Sequence, residues 1–193
     1  MVRQMDSMAT WYHHSAVTDC GQKHSPLSQR RRAAMQHDDG CPHPMILRPI
    51  GVIRNGYTQK PEQPWEEITS EIVVEECLVE ALEGLEEFSH IQVLFWLHRV
   101  EGERERLPMK IHPQRRADLP EVGLFATRTP LRPNPIGLTT VRLLRRGGNV
   151  LHVLGLDALD GTPLLDLKPY LLRGDCWPEA TGPEWLKRLH GPA

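Results

Sequence analysis

A chain of 193 residues, 39% hydrophobic and 25% charged, has the size and balance of one globular domain with short extensions. No apolar run approaches the roughly 20 residues a membrane-spanning helix needs, and the first residues carry no apolar leader core, so a soluble cytoplasmic protein is expected. The formal net charge of −2 hides a lopsided order: 13 acidic against 3 basic side chains from Lys60 to Glu105, then 9 basic against 2 acidic from Arg106 to Arg146. One basic face is compatible with that order, although charge alone favours scattering over the surface.

Residues 1–44 hold His13, His14, His24, His37 and His43, the run Arg30–Arg32, and no sustained apolar periodicity. They read as a disordered or weakly structured extension. Cys20-x3-His24 and His37-x3-Cys41-x-His43 carry zinc-ligand types, but without a CxxC pair they rank below disorder, and no metal is expected. Cys20, Cys41, Cys77 and Cys176 lie far apart, which suits reduced thiols rather than a disulfide framework.

The domain opens at Met45. Ile46–Ile53 reads as a strand whose Pro49 argues for an edge or a bulge. A polar loop follows to Trp65, then a strand at Ser70–Glu75 and a short helix over Cys77–Leu85 stopped near Gly84. Ile91–Leu97 is a continuous apolar run, as in a strand covered on both faces. Val122–Thr127, Ile136–Leu144, Val150–Leu156 and Pro163–Leu171 supply four more strands, with turns at Gly147–Asn149 and Asp160–Gly161. Gly182–Glu184 opens a last short helix running through Leu189. The pattern predicts a mostly β fold, a barrel of about seven strands with short helices. Residues 45–173 form the domain and 174–193 a tail. No glycine-rich dinucleotide or phosphate-loop motif occurs.

Four segments carry chemistry. In Ala126–Leu138 (ATRTPLRPNPIGL), Pro130, Pro133 and Pro135 hold the chain extended, so Arg128, Arg132 and Asn134 can converge as a rigid anion clamp. The plainer alternative is a proline-rich loop with solvated arginines. In Leu156–Tyr170 (LDALDGTPLLDLKPY), Asp157 and Asp160 flank a tight turn. Beyond it Asp166, Lys168 and Tyr170 alternate with Leu165, Leu167 and Pro169, as on an amphipathic strand. His98 and Arg99 end the apolar strand, where a histidine can serve as a proton carrier but is more commonly just a polar strand end. Asn55–Gly56–Tyr57 turns the chain after the first strand.

In their order, IGVIRNGY, LEGLEEFSHIQVLFWLHR, GLFATRTPLRPNPIGL and LDALDGTPLLDLKPY closely resemble the TsaA-like (TrmO) family, from about Arg48 to Tyr170. The resemblance implies a β-barrel homodimer that binds S-adenosylmethionine and methylates N6 of threonylcarbamoyl-adenosine beside the tRNA anticodon. By motif it implies cofactor contacts at Asn55, Gly56, Tyr57, His98, Arg99, Arg128, Leu138, Asp157, Ala158, Leu159 and Asp160. Arg132, Asn134 and Lys168 are assigned to the substrate side. The ureido-like acceptor nitrogen benefits from a base, for which Asp160, Asp166 and Tyr170 are candidates. Two stretches depart from the longer family members. The chain reads QKPEQPWEEI where they carry an Arg-Gln stretch, and residues 171–193 stand where they continue into a segment that helps engage tRNA. A methyltransferase on another RNA or small molecule, and a non-catalytic S-adenosylmethionine-binding module, are the alternatives.

Overall fold

The computed structural model describes residues 46–100 and 107–190, so the expectations above for residues 1–44 lie outside the described part. Among the described residues eight strands form: β1 (Gly51–Arg54), β2 (Thr69–Val74), β3 (His90–Trp96), β4 (Lys110–Ile111), β5 (Val122–Gly123), β6 (Ile136–Gly147), β7 (Val150–Leu154) and β8 (Pro163–Pro169). Six close into an antiparallel barrel in the order β1-β2-β7-β6-β3-β8, while β4 and β5 make a separate two-stranded ribbon. Two short helices follow, α1 (Leu172–Asp175) and α2 (Glu184–His190). Among the described residues no helix is long and apolar enough to cross a membrane.

Alternation decides which side chains fill the barrel. Ile72 and Val74 of β2, Ile91, Val93 and Phe95 of β3, Val141 and Leu143 of β6, and Leu151 and Val153 of β7 all point inward and are buried. A six-stranded barrel is narrow, so these side chains pack its interior. Gly137 of β6 pairs with Phe95 of β3, and a Cβ at Gly137 would overlap the Phe95 ring. The glycine there makes room for the largest side chain of the core.

The apolar run of β3 has Ile91, Val93 and Phe95 in the core, with Leu94 and Trp96 half-buried on the outer face. Several expected elements change. The strand expected over Ile46–Ile53 begins only at Gly51, after Pro49. The helix expected over Cys77–Leu85 is a 3-10 helix at Glu76–Leu82; it ends where Glu83 turns extended and Gly84 takes a positive φ of 80°. The strand expected over Val122–Thr127 stops at Gly123. Both the amide and the hydroxyl of Thr127 donate to the carbonyl of Leu124, at 3.3 and 2.9 Å, which curls the chain into a 3-10 turn. In β8 a bulge intervenes: Leu164 pairs with Phe95 but Asp166, not Leu165, pairs with Leu94. The alternation of Leu165 with Asp166 is broken there, and Leu164 and Leu167 supply the inward packing instead.

The two ends of the barrel differ. At one end Arg146 is half-buried and donates to the carbonyls of Leu82 (3.1 Å), Val79 (3.2 Å) and Gly148 (3.0 Å) and to Glu86. That guanidinium seals the end. At the other end lie the exits of β1, β3 and β7 and the starts of β2, β6 and β8. Both buried polar residues of the core, Ser70 and Thr162, sit at this second end.

Candidate functional site

Most of the residues singled out from the sequence meet at that polar end. Asn55–Tyr57 leave β1, His98 and Arg99 follow β3, Leu138 lies near the start of β6, and Asp157–Asp160 bridge β7 to β8. Antiparallel closure brings these ends together although the segments are up to about a hundred residues apart in sequence.

Asp160 organises the rim. Its Oδ1 accepts the backbone amides of Asn55 (2.9 Å) and Gly56 (3.1 Å), and Oδ2 lies 3.6 Å from the Arg54 guanidinium. The Asp160 amide donates to the Tyr57 carbonyl at 2.8 Å, and Gly161 donates to the Ile53 carbonyl at 2.9 Å. Asn55 extends the lattice: its Nδ2 donates to Ser70 Oγ (3.1 Å) and to the Ala158 carbonyl (2.9 Å), while Oδ1 accepts the Tyr57 amide (3.0 Å). Gly56 (φ 77°) and Gly161 (φ 78°) take left-handed positions in the two turns thus tied, which glycine adopts without Cβ strain. The Gly56 and Asn55 amides, then Arg54, hold the Asp160 carboxyl below the usual carboxylate range.

Asp157 has another environment. Thr139, inward-facing on β6, donates its hydroxyl to Asp157 Oδ1. The residue as a whole is exposed, but its carboxyl is crowded by neighbours. Desolvation pushes it above its ordinary value, with the Thr139 hydrogen bond and the nearby Arg128 charge opposing. Arg128 and Asp157 line a cavity of about 1110 Å³, walled also by Val100, the turn after β4, Phe125–Leu131 and helix α2. That exceeds the range of about 300–1,000 Å³ usual for small-molecule sites.

The backbone is strained beside this cavity. Gln114 (φ 50°) and Arg115 (φ 58°) both take left-handed conformations, at a cost on the order of 1 kcal/mol or more each for non-glycine residues. Their turn is held by the Arg115 amide donating to the His112 carbonyl (3.0 Å) and by His112 Nδ1, which donates to the Leu119 carbonyl (2.8 Å).

The proline-rich block is split in use. Arg128 faces the cavity, whereas Arg132 turns back, donating to the Thr127 carbonyl at 2.8 Å with its guanidinium 5.5 Å from the Phe125 ring centre. Asn134 is exposed, and its carbonyl accepts the Ile136 amide at 2.8 Å. His98 Nδ1 lies 3.3 Å from the Thr162 hydroxyl. Arg99 is exposed, and Leu138 points outward with 50% of its surface accessible.

The three candidate bases do not meet within one chain. Asp166 is on the outer barrel face, paired with Lys168 at 2.7 Å. Tyr170 follows β8 at the sealed end, its ring edge-on to His90 at 6.4 Å. Packing and the Cys176 thiol beside it raise the Tyr170 phenol, which keeps its proton. The seven residues of β8 separate Tyr170 from the rim by about 20 Å at the usual rise per residue. Residues not singled out from sequence, Arg54, Ser70, Thr139 and Thr162, complete the rim's hydrogen bonding. Their signal was only a polar type at the end of an apolar strand.

Solved proteins share this fold. A crystal structure of TrmO from Pseudomonas aeruginosa is 33% identical, with a TM-score of 0.58 over 74% of this chain and 62% of that one. A second TrmO structure is 35% identical, with a TM-score of 0.59 over 72% of this chain and 64% of that one. The chain thus spans less than two thirds of the length of these solved proteins. A protein of Methanothermobacter thermautotrophicus named as a probable S-adenosyl-L-methionine-binding protein is 43% identical over 64% of this chain and 88% of its own length. An S-adenosyl-L-methionine-binding protein of Archaeoglobus fulgidus is 37% identical over 68% of this chain and 94% of its own length. The family model for the tRNA-methyltransferase O N-terminal domain matches residues 52–176. The chain belongs to that family.

Proposed function

We propose that this chain is an S-adenosylmethionine-dependent methyltransferase, acting on N6 of threonylcarbamoyl-adenosine next to the anticodon of tRNA in the cytoplasm. The observation that carries the reading is the gathering of Asn55–Tyr57, His98, Arg128 and Asp157–Asp160 at one barrel end, beside a cavity of about 1110 Å³. The donor set suits the cofactor. Arg128 matches its carboxylate, Asp157 its cationic or hydroxyl groups, and the tied turns at Asn55–Tyr57 and Ala158–Asp160 present a fixed backbone. The cofactor supplies a methyl group already activated on sulfur, so the protein's part is chiefly to position the acceptor in line. Asp160 is committed to backbone amides and Arg54. Asp157 lies at the cavity, where desolvation raises its carboxyl above the ordinary value, with Thr139 and Arg128 opposing. Outward-facing Ile136 and Leu138 on β6, beside Leu94 and Trp96 on β3, offer an apolar face for a homodimer.

Calorimetry with S-adenosylmethionine tests the cofactor site. Arg128→Ala should weaken binding about tenfold or more, the loss of a charged hydrogen-bond partner. Arg145→Ala should leave it unchanged, because Arg145 is exposed beside His152 near the sealed end. Equal affinities of both variants would remove Arg128 from the site.

Transfer of labelled methyl to tRNA from cells lacking this gene tests the acceptor. Lys110 and Arg115, exposed on β4 and the strained turn, are placed to meet phosphate, whereas Arg116 is already engaged with Asp118 at 2.7 Å. Lys110→Ala with Arg115→Ala should weaken tRNA binding and flatten its salt dependence by about two units of slope, and Lys110→Ala alone, outside the cavity that Arg115 lines, should keep cofactor affinity. An unchanged slope would move tRNA off this surface.

A further inference from the structure

Helix α2 lies outside the family-matched residues 52–176, yet Trp185, Leu186 and Leu189 line the same cavity as Arg128 and Asp157. The chain leading to it, 171–184, is exposed throughout. A seven-residue helix is too short to persist alone in water, so its order comes from what it docks against. The docking is specific. The Arg116 guanidinium donates to the Arg188 carbonyl at 3.1 Å, and the Arg188 guanidinium donates to the Asp118 carbonyl at 3.4 Å. Trp185 and Leu189 are half-buried one turn apart, while Glu184 and Lys187 pair at 3.0 Å on the solvent side. The helix therefore turns its aromatic and apolar side chains to the cavity and its charges to water.

We propose that α2 completes the cofactor pocket, with Trp185 as the stacking face for the adenine of S-adenosylmethionine. The inference rests on the cofactor reading above. Among the described residues the cavity is lined by two guanidinium groups, Arg128 and Arg115, and one carboxylate, Asp157, which suits the carboxylate and cationic groups at the charged end of that cofactor. An aromatic face suits the uncharged purine, which can stack on it. Among the described residues Phe125 and Trp185 are the large aromatic side chains lining the cavity. Phe125 is largely exposed at the cavity and holds the Arg132 guanidinium 5.5 Å from its ring centre. Trp185 is half-buried against the cavity, so its indole offers the more enclosed face.

Calorimetry on full-length chains decides this. Trp185→Ala should weaken S-adenosylmethionine binding about tenfold, and Trp185→Phe should recover most of the loss. Trp177→Ala removes an exposed indole outside the cavity and should bind like wild type. Melting temperatures should stay together, because α2 adds nothing to the barrel core. Wild-type affinity in Trp185→Ala overturns the inference and leaves the rim reading standing. A loss of affinity that tracks a fall in melting temperature also overturns it, since α2 would then act through the fold. No binding by wild type overturns both readings.

Discussion

Asp160→Ala is expected to abolish measurable cofactor binding and to destabilise the barrel. The substitution strips the acceptor from two backbone amides, Asn55 and Gly56, and removes the counter-charge of Arg54. Hydrogen bonds to a charged acceptor contribute about 1.5–3 kcal/mol each where buried. Asp160 is one-quarter exposed, so a total loss of about 2 kcal/mol is the sensible figure. The affinity effect should be larger, because the freed Asn55–Tyr57 turn is itself one wall of the rim. Asp160→Asn keeps a neutral oxygen for the two amides and should hold the fold while losing the Arg54 pairing. The pH dependence has a definite sign. The carboxyl is depressed in the folded chain, so its stabilisation is complete above the unfolded carboxylate value near 3.9 and disappears as pH falls through the lower folded value. Acid unfolding of wild type should show that limb and Asp160→Asn should lack it. Denaturant melts at pH 3 and pH 7 measure both, and identical limbs in the two proteins would deny Asp160 its role in the turn.

Gly137→Val is expected to produce the largest loss of stability among single substitutions on β6. Any Cβ at this position overlaps the ring of Phe95, which is 2% exposed and enclosed by inward side chains of the other strands. Close-packed interiors yield little, so overpacking costs about 1–3 kcal/mol for an added methyl and more for a branched side chain. Gly137→Ala should fall inside that range. Because the conflict is with one ring, Phe95→Leu should offset part of it. The double variant Gly137→Ala with Phe95→Leu should be more stable than the sum of the single losses predicts. Urea melts of the four proteins in that cycle report the coupling. Additive losses would show that the clash lies elsewhere.

The rim was readable in the sequence because each of its segments is a local signal at a strand end. Asn-Gly-Tyr closes one strand, His-Arg closes another, and Asp157–Gly161 turns into β8. Antiparallel closure then gathers them with no further information. Strands β2, β3 and β7 were readable for a similar reason, since their apolar residues are dense and bounded by turns. What escaped depends on contacts between distant residues. The bulge at Leu165 follows from pairing with β3 and has no local mark. Arg132 reads as a free cation until the Phe125 ring and the Thr127 carbonyl come within reach. Lys110–Ile111 is too short to register as a strand without Val122–Gly123 beside it. Helix α2 could be foreseen as a helix, but its seat on Asp118 and Arg116 could not.

The barrel closes on an uneven join. β3 meets β6 through seven residue pairs, whereas β1 meets β8 through two, Gly51 with Leu164 and Val52 with Pro163. Beyond those pairs the join continues as single bonds, Ile50 to the Leu164 carbonyl at 2.8 Å, Ile53 to the Thr162 carbonyl at 2.9 Å and Gly161 to the Ile53 carbonyl at 2.9 Å. Immediately above them stands the Asp160 turn. The thinnest part of the ring is thus fastened by the loops that also shape the ligand rim. Local opening favours the join with the fewest bonds, and among the barrel's pairings that is the one between β1 and β8. A ligand gripping Asn55–Tyr57 and Ala158–Asp160 together would staple the two sides of this join, so part of its binding free energy would return as resistance to unzipping. Occupancy and ring closure are therefore two readings of one equilibrium.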